Sequence, residues 1–171
     1  MIITGGIYKG RKISMPDEKI TRPTLSKVRM GVFNVLYSIM GDFEGRSFLD
    51  VFGGSGIIGI EAKSRGFKEV TVFEKNNTAF KIINENYTKL GINADIVMGD
   101  SLKLIKNTNK IFDVAYVDPP YESGFYSEVI NLLRDKTHLV VAEHSSPVNN
   151  IDLRLLKSKK YGNTNVSFFE P

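Results

Sequence analysis

Phe48-Leu49-Asp50-Val51-Phe52-Gly53-Gly54-Ser55-Gly56-Ile57-Ile58-Gly59 is the stretch that decides the fold of this chain. An apolar run breaks into glycines and resumes at Ile57-Ile58, the pattern of a buried strand that turns sharply into a helix. Glycine permits backbone torsions closed to other residues and lets a ligand approach the main chain closely. Gly54, Gly56 and Gly59 satisfy G-x-G-x-x-G, and Glu74 lies 20 residues beyond Gly54 at the end of the next apolar run. The combination fits a dinucleotide-binding unit.

From residue 47 onward the pattern alternates, with strands expected at 47–52, 69–74, 94–98, 111–117 and 137–143 and helices in the gaps. Such alternation implies a parallel sheet with helices on both faces. After Pro147 the pattern changes. Residues 153–160 and 164–170 read as two strands joined through Tyr161-Gly162-Asn163, an antiparallel closing hairpin. Upstream, residues 1–14 intersperse short apolar pieces with glycines, as in a glycine-rich hairpin. A helix is expected next, capped by Thr24 or Ser26, carrying Val28, Val32, Val35, Leu36 and Ile39 on one face and ended by Gly41. The fold class is therefore α/β: a mostly parallel sheet with a C-terminal antiparallel hairpin in residues 41–171, plus a small hairpin-helix extension in residues 1–40.

A chain of 171 residues with 42% hydrophobic content supports one compact domain and at most a small appendage. The absence of cysteine excludes disulfides, thiolate metal sites and cysteine nucleophiles. The first apolar residues soon meet Lys9, Arg11 and Lys12, and no long apolar stretch follows, so a soluble, cytoplasmic protein with no membrane association is expected, as a monomer. Charge is unevenly spread. Residues 1–30 hold seven basic and two acidic side chains, whereas the remainder holds sixteen basic and seventeen acidic ones. Basic residues gathered on a near-neutral body are the footprint of a polyanion, most simply nucleic acid. A weaker basic group follows at Arg154, Lys157, Lys159 and Lys160.

Three carboxylates close three consecutive strands: Asp50, Glu74 and Asp100. An acid at the end of the first strand would repel a pyrophosphate but suits the ammonium of an amino-acid moiety. Glu74 suits two ribose hydroxyls. Asp100 suits an adenine amine, with Ser101 beside it and Leu102 over a ring face; alternatively Asp100 or Ser101 caps the helix beginning there. With Gly53, Gly54, Ser55 and Gly56 forming the turn, the outline is a nucleoside with a cationic tail, S-adenosylmethionine.

The fourth strand ends in Asp118-Pro119-Pro120-Tyr121. The amino nitrogen of a nucleobase is a poor nucleophile because its lone pair is delocalised into the ring. If the Asp118 carboxylate and the Pro119 carbonyl each accept one amine N–H, the nitrogen can pyramidalise and aim its lone pair at an electrophile. Tyr121 would stack on the base. Such in-line displacement needs orientation and desolvation, without a metal.

Glycine turn, acidic second strand end, Gly99-Asp100 and Asp118-Pro119-Pro120-Tyr121, in this order, resemble class I amino-methylating S-adenosylmethionine-dependent methyltransferases, which are Rossmann-like. More narrowly, the chain resembles the bacterial 16S rRNA guanine-N2 methyltransferase family RsmD. That likeness rests on Tyr8-Lys9-Gly10-Arg11-Lys12, Thr21-Arg22-Pro23-Thr24 with Val28-Arg29, Gly59-Ile60-Glu61-Ala62 with Ser64-Arg65-Gly66, Glu143-His144 and Lys160-Tyr161-Gly162. Gly53 stands where the family usually has alanine, expected only to loosen the turn, and Met30-Gly31 replaces a usual Glu-Ala. The resemblance implies methyl transfer to N2 of one guanine in 16S rRNA, on the small ribosomal subunit or its precursor. The base would be swung out of its stack. Lys9, Arg11, Lys12, Arg22 and Arg29 would bind phosphates, and His144 would be a hydrogen-bonded core residue.

Three rival readings remain open on the sequence alone. A DNA adenine-N6 methyltransferase uses the same tetrapeptide, but such enzymes resemble larger two-domain proteins. An NAD-dependent oxidoreductase would use Gly54, Gly56, Gly59 and Glu74 while leaving Asp118-Pro119-Pro120-Tyr121 idle. A catalytically dead RNA-binding module would have no cofactor affinity.

Overall fold

The computed structural model describes residues 1–17, 24–119 and 123–171, with only the backbone of Ser123 and Gly124. In chain order the elements are α1 (Ser26–Met40), β1 (Ser47–Asp50), α2 (Ile57–Ser64), β2 (Glu69–Glu74), α3 (Asn77–Leu90), β3 (Asp95–Met98), α4 (Ser101–Asn107), β4 (Val114–Val117), α5 (Ser123–Leu132), β5 (Val140–His144), β6 (Arg154–Tyr161) and β7 (Thr164–Glu170). They form one seven-stranded sheet in the order β3-β2-β1-β4-β5-β7-β6. β1 to β5 are mutually parallel, and β7 runs antiparallel to both β5 and β6. The strand order reverses between β1 and β4, which opens a crevice at their carboxyl ends.

β4 is buried at all four positions because helices cover both faces of the central sheet. One core, containing Val32, Leu36, Phe48, Ile60, Ile83 and Phe168, lies under α1, α2 and α3. The other, containing Leu49, Ile105, Ala115, Val129, Ile130 and Phe169, lies under α4 and α5. Phe33 of α1 stacks on Phe48 of β1 at 6.0 Å, so the extension shares its core with the sheet. Burial of each such ring contributes about 1.5–3 kcal/mol. Among the described residues, no helix is long and apolar enough to cross a membrane.

Local sequence explains most boundaries. Asn76 caps α3 by accepting from the amides of Thr78 and Ala79, and Gly91 ends it in the left-handed region. The β6–β7 turn is Gly162-Asn163, with Gly162 at φ 64°. Gly41 closes α1 as expected.

Three expectations need correction. Neither Thr24 nor Ser26 caps α1: the N-cap is Leu25, with no side-chain acceptor, while Thr24 O and Ser26 Oγ instead receive the Arg29 guanidinium. Ile39 is exposed rather than on the buried face. The first hairpin, by contrast, forms as expected, with an antiparallel bridge between Ile2 and Lys12 and hydrogen bonds from Ile3 N to Arg11 O, Gly10 N to Ile3 O and Ile13 N to Met1 O. Finally, Gly53 does more than loosen a turn. A Cβ there would lie 2.5 Å from Val72 Cγ1 and 2.9 Å from Ile83 Cδ1, so the turn is packed down onto β2 and α3.

Candidate active site

The turn after β1 is held from three sides. Gly53 N donates to Phe73 O at 2.8 Å, Gly56 N to Gly53 O at 2.7 Å, and Gly54 N to Glu74 Oε2 at 2.8 Å. Gly54 and Gly56 have φ of 54° and 77°, torsions an L side chain rarely adopts, and Gly56 is the N-cap of α2. Gly59 serves packing: a Cβ there would meet Tyr87 Oη at 2.3 Å and Val72 Cγ2 at 3.0 Å, so helix and sheet approach closely only because it is glycine.

Asp50 is 1% exposed, and its Oδ2 is a buried oxygen without a hydrogen-bond partner. Burial pushes its carboxyl up to about 7 against hydrogen bonds from the Gly59 and Phe52 backbone, and the nearby Glu74 charge adds to the rise. An orphaned buried acceptor beside an open glycine turn suits a cationic donor. Glu74 ends β2 with Oε1 accepting from Asn76 N at 2.7 Å and Oε2 from Gly54 N, so two of its roughly four acceptor positions are used. Asp100 caps α4 by accepting from Lys103 N at 3.1 Å. Ser101 Oγ donates to Val51 O at 2.7 Å and ties α4 to the end of β1, while Leu102 packs against the core beneath α4 and α5.

A cleft of about 40 Å³ lies at the reversal of strand order. Phe52, Gly53, Gly54 and Ser55 line one side, Tyr116 and Asp118 the other, and Thr24 reaches it from the start of α1. Asp118 is half-buried and Pro119 buried. The strand period sets Tyr116 and Asp118 on the same side of β4, and the Tyr116 hydroxyl donates to Glu143 Oε2 of β5. Burial, then the Glu143 and Asp118 charges, raise the Tyr116 phenol well above its usual range. Sequence reading missed Tyr116 and Thr24 as lining of this cleft. Tyr121 and Arg22 lie outside the described residues.

Arg29 is not a phosphate contact. It is fully buried, with Nε 3.1 Å from Glu61 Oε1 and further donations to the carbonyls of Thr24 and Ile2. Glu61 Oε1 also accepts from Thr4 N and Thr4 Oγ1 at 2.7 and 2.8 Å, and Glu61 Oε2 lies 3.3 Å from Arg65. These groups clamp the first hairpin and α1 onto α2. Lys9, Arg11 and Lys12 are exposed on that hairpin, and Arg11 reaches the Lys89 carbonyl at the end of α3. His144 is a buried, hydrogen-bonded residue, with Nδ1 at 2.8 Å from Ser146 O and Nε2 at 2.9 Å from Ser167 Oγ.

Residues 1–170 match the family described as Conserved hypothetical protein 95. Ribosomal RNA small subunit methyltransferase D of Buchnera aphidicola subsp. Acyrthosiphon pisum is 37% identical over 136 residues, 78% of this chain and 70% of that relative. The chain belongs to the ribosomal RNA small subunit methyltransferase D family. The Escherichia coli (strain K12) methyltransferase D is 34% identical over 134 residues, covering 78% of this chain and 66% of its own length. Among solved structures, the Escherichia coli candidate methyltransferase yhhF superposes with a TM-score of 0.86 at 27% identity, over 99% of this chain and 97% of its own. The sheet is accordingly the Rossmann-like class I methyltransferase sheet that the motifs led us to expect. Of the Met30-Gly31 departure within this methyltransferase D chain, Gly31 has a packing reason: a Cβ there would lie 2.1 Å from Tyr161 Oη, so glycine lets the end of β6 close against α1. Nothing in the structure explains Met30.

Proposed function

We propose that the protein transfers a methyl group from S-adenosylmethionine to the exocyclic N2 amine of a guanine in 16S rRNA, on the small ribosomal subunit or its precursor. The observation that carries this reading is that Gly54 of the nucleoside-binding turn and Asp118 of the amine-gripping tetrapeptide line one cleft. The names of the relatives support ribosomal RNA of the small subunit as substrate class.

When bound, S-adenosylmethionine supplies an electrophilic methyl on a sulfonium centre. The residues present fit it. Asp50 would receive the ammonium, Glu74 the ribose hydroxyls and Asp100 the adenine amine, with Gly53, Gly54, Ser55 and Gly56 forming the turn and Ser101 and Leu102 the wall. On the substrate side, the Asp118 carboxylate and Pro119 carbonyl accept the two amine hydrogens and fix the nitrogen lone pair toward the glycine turn. Tyr121 would hold the base plane. Lys9, Arg11, Lys12 and Arg22 would contact phosphates.

Calorimetric titration tests the cofactor. Binding of S-adenosylhomocysteine without binding of NADH is the expected result. NADH binding alone would instead favour an oxidoreductase built on the same glycine turn.

A further inference from the structure

β6 is the outer strand of the sheet, paired among the described residues only to β7, and it carries Arg154, Lys157, Lys159 and Lys160, all exposed. Its charge is graded along its length. Arg154, at the start, is ion-paired with Glu170. From Leu155 to Phe169 there is no acidic residue, and among the described residues Lys157, Lys159 and Lys160 form no ion pair. Neutralised charge thus sits at one end of the strand and uncompensated charge at the other.

Register identifies which end that is. Val117 of β4 lies opposite Ala142 of β5, Ala142 opposite Ser167 of β7, and Ser167 opposite Ser158 of β6. One and two steps further stand Asp118 and Pro119 on one side of the sheet and Lys159 and Lys160 on the other. The uncompensated lysines therefore rise to the same edge as the candidate active site. Two strands intervene, so the lateral separation is about 14 Å at ordinary strand spacing. That distance lies inside the reach of a single-stranded run of a few nucleotides.

α1 extends the same surface. Lys157 and Lys159 lie opposite Phe168 and Val166, which are buried beneath α1, so these two lysines share the α1 face of the sheet. Tyr161 packs against Gly31, and exposed Lys27 stands one helical turn before Gly31 on α1. The first hairpin, with Lys9, Arg11 and Lys12, packs instead on α2 and α3, and its contacts with Ser64 and Lys89 fall at the C-terminal ends of those helices. Among the described residues, the β6 lysines and Lys27 are therefore the basic group at the edge of the crevice itself.

We propose that Lys157 and Lys159 of β6 with Lys27 of α1, joined by Lys160 on the opposite face of the same edge strand, bind phosphates of the RNA strand beside the target base. This rests on the RNA-methylating function proposed above. An RNA held along this edge would present one nucleotide over Asp118 with its neighbouring phosphates on β6.

The test is the salt dependence of RNA affinity for the full chain, with an unstructured oligouridylate as probe between about 50 and 200 mM salt. Each phosphate contact contributes about 0.7 to the slope of log affinity against log salt on a single strand. Lys157→Gln/Lys159→Gln/Lys160→Gln should lower the slope magnitude by about 2. The corresponding Lys→Arg triple variant should keep it. Should the glutamine triple variant fail to fold, Lys159→Gln/Lys160→Gln should lower the slope magnitude by about 1.4. An unchanged slope in a folded variant overturns the proposal and leaves these lysines as guards against edge-to-edge strand pairing. Failure of the RNA reading itself looks different: the parent chain would then show no salt-dependent affinity for the probe and transfer no methyl to small subunits.

Discussion

Arg29 Nε donates to Glu61 Oε1 across 3.1 Å, and the two side chains are 1% and 0% exposed. An ion pair so far from water is stable only while both members and their remaining hydrogen bonds are present, because either charge alone would be buried without compensation. Glu61→Ala should therefore destabilise the protein by about 3–5 kcal/mol, read from the midpoint of urea unfolding. Arg29→Met, where it folds, should leave the salt slope of RNA affinity unchanged, since the guanidinium faces Thr24, Ile2 and Glu61 rather than solvent.

Asp50 gives the free protein a pH dependence with a definite sign. Its folded carboxyl titrates at about 7, against an ordinary value of 3.8. The folded state holds the proton more tightly, so this contribution to stability is present in full below 3.8 and is lost as pH rises through about 7. An ammonium placed against Asp50 favours the ionised form, so cofactor affinity should move the other way. S-adenosylhomocysteine should bind more tightly at pH 8 than at pH 6, while the thermal midpoint of the free chain falls over the same interval. Asp50→Asn should flatten both profiles and weaken cofactor binding by roughly tenfold or more, the loss of one charged hydrogen bond. Parallel profiles in parent and variant would remove Asp50 from the cofactor site.

Gly53→Ala tests the packing of the turn. The added methyl meets the Val72 and Ile83 side chains first, which can shift, and then the Phe73 carbonyl at 3.3 Å. A cost of about 1–3 kcal/mol is expected, with cofactor affinity reduced because the turn must lift from the sheet. Restoration of stability by Ile83→Val in the same chain would show that the clash is local.

The glycine turn, the alternation of strands and helices, and the closing hairpin were legible because each is a local pattern: apolar period, glycine, and β-branched runs. The Asp118 position was legible for the same reason, as the residue following an apolar strand. Arg29 was not. Its burial depends on Glu61, 32 residues away, and on the carbonyl of Ile2, partners that no local window contains. Asp100 has one local role that the sequence did offer, as the α4 cap, and a capping aspartate keeps lone pairs for a ligand. Tyr116 was hidden by its own strand: an aromatic inside a buried run reads as core, and only its hydroxyl contact with Glu143 on the neighbouring strand distinguishes it.

The most direct measurement is transfer of labelled methyl from S-adenosylmethionine into undermethylated small ribosomal subunits, with the modified atom mapped by mass spectrometry, for the parent chain and for Asp118→Ala. The parent should place a methyl on N2 of a guanine in 16S rRNA. Asp118→Ala should lose at least about 100-fold in rate, the cost of a misplaced reacting group, with unchanged affinity for S-adenosylhomocysteine. A methyl on another atom, or an Asp118→Ala protein as active as its parent, would contradict the account.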